Sequence, residues 1–393
     1  MPWKEVLAPE ARMRLVLAYR EKRESFSLLC RRFGISRKSA YKWLKRYRAG
    51  GVQALRDRPR RPGYCPKAYR SFWRERLVKA REARPQWGAK KLRSVLRKTF
   101  PGVKRVPAVS TLALWLRQSG LARKRKRRAW RGPLLACRAL PVARRCNELW
   151  SVDFKGWFRT RDGRRCEPLT VRDVFSRFVL TAALLPNQSD AAVRRAMRQV
   201  FRRYGLPKAI RVDNGAPFGG RGALGLSRLS VWWLRLGIAV EFIRRAHPQD
   251  NAAHEQMHRI FKADAASPPA GTFRAQKRRT NAWIKCYNYE RPHEALGQRV
   301  PGRIYWPSNQ PMPEQLPKVN YPRAWDTRRV RNRGHIKWRG RERFVGRAFV
   351  GELVGLKKIA EGIQEVYLDS HLIGLLYDQD LAGMRPASIV PHP

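Results

Sequence analysis

Acidic residues are scarce in this chain. Its 393 residues hold 29 Asp and Glu against 86 Lys and Arg, a formal net charge of +57. That imbalance excludes a surface built for cationic partners and implies polyanions, nucleic acid above all, bound in a strongly salt-dependent way through counterion release. Long apolar runs are missing as well. The longest, FVLTAALL, is too short to cross a bilayer, and the opening MPWKEVLAPEAR has no apolar stretch of the kind a secretory signal needs. An intracellular protein without a membrane partner is therefore expected. No CxxC pair occurs among the six cysteines, Cys30, Cys65, Cys137, Cys146, Cys166 and Cys286. That argues against a cysteine zinc site or a disulfide framework and for reduced thiols acting as small buried hydrophobes. A GxxxxGK(S/T) phosphate loop is also absent, so nothing points to a nucleotide cofactor.

What is present is a chain with real cores. A hydrophobic content of 43% with 14 Trp does not describe a disordered polycation, and the length suffices for two or three domains. Residues 1–58 read as three helices. The second, SLLCRRFG, stops at Gly34, and Ser36 can cap a third, RKSAYKWLKRY. On that third helix Ala40, Trp43, Leu44 and Tyr47 share one face, while Arg37, Lys38, Lys42, Lys45 and Arg46 occupy the rest. This is the pattern of a helix-turn-helix with a basic recognition helix. A second helical domain, residues 66–122, carries WGAKKLRSVLRKTF and VSTLALWLRQSG as its main helices and is read as helix-turn-helix-like. The linker at 123–146 begins with a basic run, Arg123, Lys124, Arg125, Lys126, Arg127 and Arg128, which cannot pack and is expected to track phosphates.

The pattern then changes to strands and helices over residues 147–300. WSVDFKGWF, CEPLTVRDVFSRFVLTAAL and KAIRVDNG read as strands, with helices near DAAVRRAMRQVFRRY, SRLSVWWLRLG and NAAHEQMHRIFKAD. A mixed sheet with helices on its faces is the expected architecture. A proline-rich linker, 301–324, leads to residues 325–393, where HIKW, RERFVGR, GELVGLKKIA, IQEVYLD and HLIGLLY are short strands turning at Arg339 and Gly340. A small β-barrel is expected there.

Three of the few acids stand out. Asp153 lies within a strand, where an unpaired carboxylate is costly to desolvate unless a divalent cation offsets the cost. Asp213 ends the apolar run AIRV just before Asn214 and Gly215, at a strand exit. Glu255 lies on a helix, with Arg259 and Lys262 four and seven residues further on along the same face. A strand, a strand exit and a helix supplying one carboxylate each can gather oxygen ligands for two magnesium ions. Asp162, Asp173, Asp250 and Asp264 are competing acids, of which Asp173 also falls in a strand.

WSVDF, RVDNGAPF, HPQDNAAHE and YNYERPHEAL, in that order, resemble the motifs of the DDE transposase and retroviral-integrase superfamily, in particular bacterial insertion-sequence transposases. The resemblance implies a ribonuclease-H-like core in which Asp153, Asp213 and Glu255 hold two Mg2+ ions, with Mn2+ able to substitute. It further implies cleavage and strand transfer on double-stranded DNA (element ends and target), a homo-oligomer, and a bacterial cytoplasmic protein that is nucleoid-associated when bound to DNA. The 41 residues between Asp213 and Glu255 exceed the usual interval, and the excess is assigned to GGRGALG as a surface insertion. Two rival readings remain. His254, Glu255 and His258 fit the HExxH signature of zinc proteases, though RIFKAD follows in place of the metzincin extension. A transposase that has lost activity could also persist as a DNA-binding regulator.

If the third helix of the first domain reads DNA, Lys42→Ala or Arg46→Ala weakens binding in a gel-shift titration before it alters any chemistry. Unchanged binding in both variants would move recognition to the second helical domain.

Overall fold

Short hydroxyl side chains start two helices of the first compact unit, Met1–Arg70. The computed structural model describes residues 8–57, 69, 71–103, 105–122, 142–220, 222–244, 251–381 and 383–387. Helix α1 (Ala8–Glu21) is followed by α2 (Phe26–Arg32), where Ser25 accepts from the amide of Leu28, and by α3 (Arg37–Gly50), where Ser36 accepts from that of Ser39. Between α2 and α3 the chain turns at Gly34 with φ +62°, a conformation that suits glycine. Leu15, Leu29, Cys30 and Ala40 form one buried cluster, and Val16, Leu44 and Leu55 form a second. Lys38, Lys42 and Lys45 are left exposed on α3, as its amphipathic pattern requires.

The second compact unit, Ser71–Pro393, opens with three helices. These are α4 (Ser71–Ala83), α5 (Ala89–Thr99) and α6 (Val109–Gln118), and α4 precedes the two helices that the sequence marks as principal. Leu77, Leu92, Leu96, Leu112 and Leu116 are buried among them. Buried Arg81 satisfies the carbonyls of Trp87 and Leu121. Further along the unit, Lys91 donates to the carbonyl of Pro292 (2.6 Å), and Arg84 and Lys90 pair with Glu290 and Glu294.

A mixed sheet follows. Strand β1 (Leu149–Phe154) pairs antiparallel with β3 (Arg165–Asp173), which pairs antiparallel with β4 (Val179–Leu185) and, at its start, with β2 (Phe158–Arg159). On the other side of β1 lie β5 (Ala209–Val212) and β6 (Ala239–Phe242), both parallel. The long segment CEPLTVRDVFSRFVLTAAL thus divides into two strands, and β6 is one the sequence reading did not separate from its surroundings. Because side chains alternate along a strand, Trp150, Val152, Leu169 and Val171 share one face. They are buried there with residues of α7 (Asp190–Tyr204) and α8 (Arg228–Arg235), including Met197, Phe201, Trp232 and Trp233. A separate cluster joins Val179 and Ala182 of β4 to Met257 and Phe261 of α9 (Ala252–Phe261) and Trp283 of α10 (Phe273–Lys285).

The C-terminal strands correct one expectation. A five-stranded antiparallel sheet has the order β13 (Arg385–Pro386), β12 (His371–Tyr377), β11 (Ile363–Leu368), β10 (Leu353–Ala360) and β7 (Asp326–Arg329). A separate hairpin is formed by β8 (His335–Trp338) and β9 (Arg341–Phe344). Among the described residues the ladder does not close into a barrel. Backbone bonds join the hairpin to segments beside the sheet, from the amide of Met384 to the carbonyl of Phe344 at 2.8 Å and from that of Arg331 to the carbonyl of His335 at 2.7 Å. Beyond β9 the chain leaves through Gly346, φ +146°, into a turn that buries Phe349 instead of continuing as a pairing strand. The glycine-rich segment after Phe218 is corrected too. Far from being a surface insertion, it buries Ala223 and Leu226, which pack with Val231 and Leu234 of α8 against Val354, Leu356, Ile373 and Leu376 of the C-terminal sheet. No helix among the described residues is long and apolar enough to cross a membrane, and Cys30, Cys146, Cys166 and Cys286 are free thiols.

Candidate active site

The face of the central sheet opposite its apolar core carries a polar strip. Ser151 and Asp153 on β1 alternate with the buried Trp150 and Val152, and in the antiparallel register they sit beside Arg172 and Thr170 of β3. Helix α9 covers this strip. Arg172 donates to the carbonyl of Ala253 at 2.7 Å. Asn251, the residue before α9, makes no side-chain cap bond and instead donates from Nδ2 to Asp153 Oδ2 at 2.9 Å.

Asp153 is largely removed from water, and its pKa is pushed up to about 7, first by burial and then by the charge of Asp213. Glu255 adds to the same repulsion, so both other carboxylates lie within electrostatic reach of Asp153. Asp213 follows β5 at its exit, and burial raises its pKa as well. Its Oδ1 is buried without a hydrogen-bond partner, while Oδ2 sits so near Gly215 that a Cβ there would stand 3.2 Å away. Glu255 is exposed on α9, with Arg259 and Lys262 also exposed beyond it. Among the described residues no Lys or Arg nitrogen comes within ion-pair distance of these three carboxylates; Asp153 has only His258 Nδ1 at 4.0 Å. Two desolvated carboxylates, one with an orphaned oxygen, form an oxygen-rich donor set that fits hard divalent cations. The competing acids have other duties. Asp173 is fully buried and accepts from the amides of Asn147 and Ser176 and from the Ser176 hydroxyl. Asp162 is bonded to Thr160 and to the amide of Phe273, Asp264 lies 4.0 Å from Arg291, and Asp250 is outside the described residues.

The two histidines of the HExxH pattern turn inward. Both Nε2 atoms lie 2.7 Å from the Thr170 hydroxyl, and His254 Nδ1 lies 2.7 Å from that of Ser151. Burial holds the pKa of His254 well below its usual range and brings that of His258 down to about 3, so both rings are neutral. A paired-histidine zinc site needs a free nitrogen on each ring. Here both nitrogens of His254 are engaged. Among the described residues, the set of three potential ligands whose donor atoms lie within 4.8 Å of one another is Asp153, His254 and His258.

Of the residues expected to meet DNA, Arg37, Lys38, Lys42 and Lys45 are exposed on α3, and Lys42 and Arg46 lie over the Trp43 ring at 5.5 and 4.8 Å. Arg123, Lys124, Arg125, Lys126, Arg127 and Arg128 lie outside the described residues. Sequence reasoning passed over three neighbours of Asp153. Asn251 and Thr170 bond to it, and Lys155, two residues on, has its pKa lowered by burial and by Lys262 while Asp153 opposes the shift. The period-two spacing of Asp153 and Lys155 was the available signal; Thr170 and Asn251 required knowledge of the register. A basic groove between α5 and residues 297–303 was also missed: Lys90, Arg93, Arg97, Lys98, Arg299 and Arg303 line it without a carboxylate.

Asp153 and Asp173 should respond oppositely to loss of charge. Since the folded pKa of Asp153 is raised, its effect on stability is least unfavourable below about pH 4 and worsens as pH rises through about 7. Asp153→Asn is thus expected to raise the melting temperature of the metal-free protein at pH 8 on the order of 2–4 °C, the response of a domain to about 1 kcal/mol, with the gain shrinking toward pH 4. Burial raises the pKa of Asp173 as well, but Asp173→Asn turns an amide donor against either the Asn147 amide or the two Ser176 donors and should lower the melting temperature. Calorimetry of both variants without divalent cations checks the pair; a fall in both would make Asp153 a structural anchor.

Families of known proteins match successive parts of the chain. A family described as Helix-turn-helix domain matches residues 11–63, and one described as Homeodomain-like domain matches 39–116. Two families described as Integrase core domain match 143–248 and 236–301, and the IS481 family transposase, C-terminal domain, matches 325–380. The insertion element IS407 uncharacterized 31.7 kDa protein of Burkholderia multivorans is 29% identical over 58% of this chain and 79% of its own length. The insertion element IS476 uncharacterized 39.2 kDa protein of Xanthomonas euvesicatoria is 29% identical over 58% of this chain and 63% of its own. A chain from the cryo-EM structure of the simian T-cell lymphotropic virus intasome in complex with PP2A regulatory subunit B56 gamma is similar at 14% identity and a TM-score of 0.36, over 77% of this chain and 98% of that one. Integrase-core, helix-turn-helix and transposase C-terminal matches in sequence along the chain, with its insertion-element relatives, support a DDE-type insertion-sequence transposase.

Proposed function

We propose that this transposase binds the terminal inverted repeats of its own element, cleaves DNA at the ends and joins the exposed 3′-hydroxyl to target DNA, with Asp153, Asp213 and Glu255 as the catalytic residues. The observation that carries this reading is the state of the carboxylates. In a chain of net charge +57, Asp153 and Asp213 are desolvated, mutually repelling and without a Lys or Arg partner among the described residues. Mg2+ ions, or Mn2+ in their place, held by these three residues would supply activation of the attacking oxygen and stabilisation of the leaving one. The chain's own side chains do the rest. Asn251 orients the Asp153 carboxylate, and Lys155, Arg259 and Lys262 hold the scissile phosphate beside it. Base choice comes from α3, whose Arg37, Lys38, Lys42, Lys45 and Arg46 enter the major groove. The run from Arg123 to Arg128 and the groove along α5 contact phosphates and fix register. Handling two ends together calls for a homo-oligomer.

Cleavage and joining of supercoiled plasmid carrying the native ends, with Mg2+ or Mn2+, test the reading. Wild type should nick and join, whereas Asp153→Asn and Asp213→Asn should lose both activities and keep end binding. Tight binding by the wild type without nicking would instead favour a DNA-binding regulator. Removing the charges of Arg97, Lys98 and Arg303 together should weaken binding alike on all sequences and reduce the slope of log affinity against log salt by about 3; an unchanged slope would take the α5 groove off the DNA path.

A further inference from the structure

The Thr170 hydroxyl has one hydrogen and two lone pairs, and it has three partners: the Asp153 carbonyl at 2.9 Å and the Nε2 atoms of His254 and His258, each at 2.7 Å. All three are satisfied in one way only. Thr170 donates its hydrogen to the carbonyl, so both Nε2 atoms carry hydrogens and donate to Thr170. The tautomers follow. His254 Nδ1 is bare and accepts from Ser151 at 2.7 Å, which draws that hydroxyl's hydrogen from its longer 3.2 Å contact with Asn251 Oδ1. His258 Nδ1 is bare as well, and it faces Asp153 Oδ2 at 4.0 Å.

A lone pair on an imidazole nitrogen opposite a carboxylate oxygen, with its other N–H held by a hydroxyl, is the arrangement of a metal-ligating histidine and its supporting partner. Two bonds of about 2.1 Å each reach across such a gap at a wide angle between them, and a modest approach of the imidazole closes it to neighbouring positions. His254 cannot play this part, because Ser151 and Thr170 engage both of its nitrogens.

We infer that His258 Nδ1 is a nitrogen ligand to a divalent cation bound at Asp153, which makes this site selective for Mn2+ over Mg2+. The inference rests on the reading of Asp153 as a metal carboxylate and adds a donor outside the three-carboxylate set. Imidazole favours the transition-metal ion, whereas an all-oxygen shell suits Mg2+.

The test uses the full-length protein with Mn2+ as the probe, and its primary readout is pulsed electron paramagnetic resonance without DNA. Wild type should show nitrogen hyperfine coupling to bound Mn2+. His258→Ala should abolish it and lower the Mn2+-over-Mg2+ affinity ratio on the order of tenfold. His258→Gln, which keeps an N–H for Thr170 and guards against a collapsed helix, should likewise lose the coupling while leaving Mg2+ affinity nearly unchanged. Mn2+ binding that Asp153→Asn removes, with no nitrogen coupling in wild type or no change of ratio in either His258 variant, overturns the role of His258 and leaves the carboxylate reading standing. Mn2+ binding indifferent to Asp153→Asn overturns both.

Discussion

The hydroxyl of Thr170 joins three pieces of chain: the backbone of β1 at Asp153, and two successive turns of α9 through His254 and His258. The rest of the site depends on that junction. A helix laid over a sheet ordinarily docks through apolar contacts, and α9 does so at Met257 and Phe261. Nearer its start it docks through hydrogen bonds, because the strip beneath it is polar. An unpartnered Ser151, Thr170 or Arg172 in that position would cost more than the packing returns. Satisfying them with two neutral imidazoles and a main-chain carbonyl lets the helix lie close to Asp153 without introducing a cation that would neutralise it.

The same constraint explains how a carboxylate stays unquenched in so basic a chain. Lys155, Arg172 and Arg259 are all near the site in sequence or register. Each is diverted: Arg172 is held by the Ala253 carbonyl, Lys155 is half-buried and repelled by Lys262, and Arg259 is out in solvent. Among the described residues positive charge is therefore kept from direct ion pairing with the acids, in which desolvated opposite charges would neutralise one another.

Much of this was legible in the residues. The caps at Ser25 and Ser36, the helical periodicity of α3 and α7, and the placement of Asp153, Asp213 and Glu255 on strand, strand exit and helix are local properties, and local patterns carry them. The roles of acids were less legible. Asp173 and Asp153 sit in similar strand contexts, and only the fold distinguishes one wrapped by three donors from one that is not. The HExxH pattern was ambiguous for the same reason: spacing places two histidines on one helix face but does not say what that face meets. The barrel failed because strand-like segments reveal nothing of whether a ladder closes. The misreading of the glycine-rich segment came from treating glycine as a mark of exposure, when Ala223 and Leu226 beside those glycines are buried.

That segment has an evolutionary consequence. Ala223, Leu226, Val231 and Leu234 share one apolar cluster with the C-terminal sheet, and Arg235 at the end of α8 pairs with Glu352. The region matching a separate C-terminal family is thus fastened to the stretch of core lying between two of the key acids. Exchanging that tail between elements as a cassette requires refitting α8 and the loop before it, so tail and core must diversify in step, and recombinants that inherit them from different parents begin with a mismatched seam.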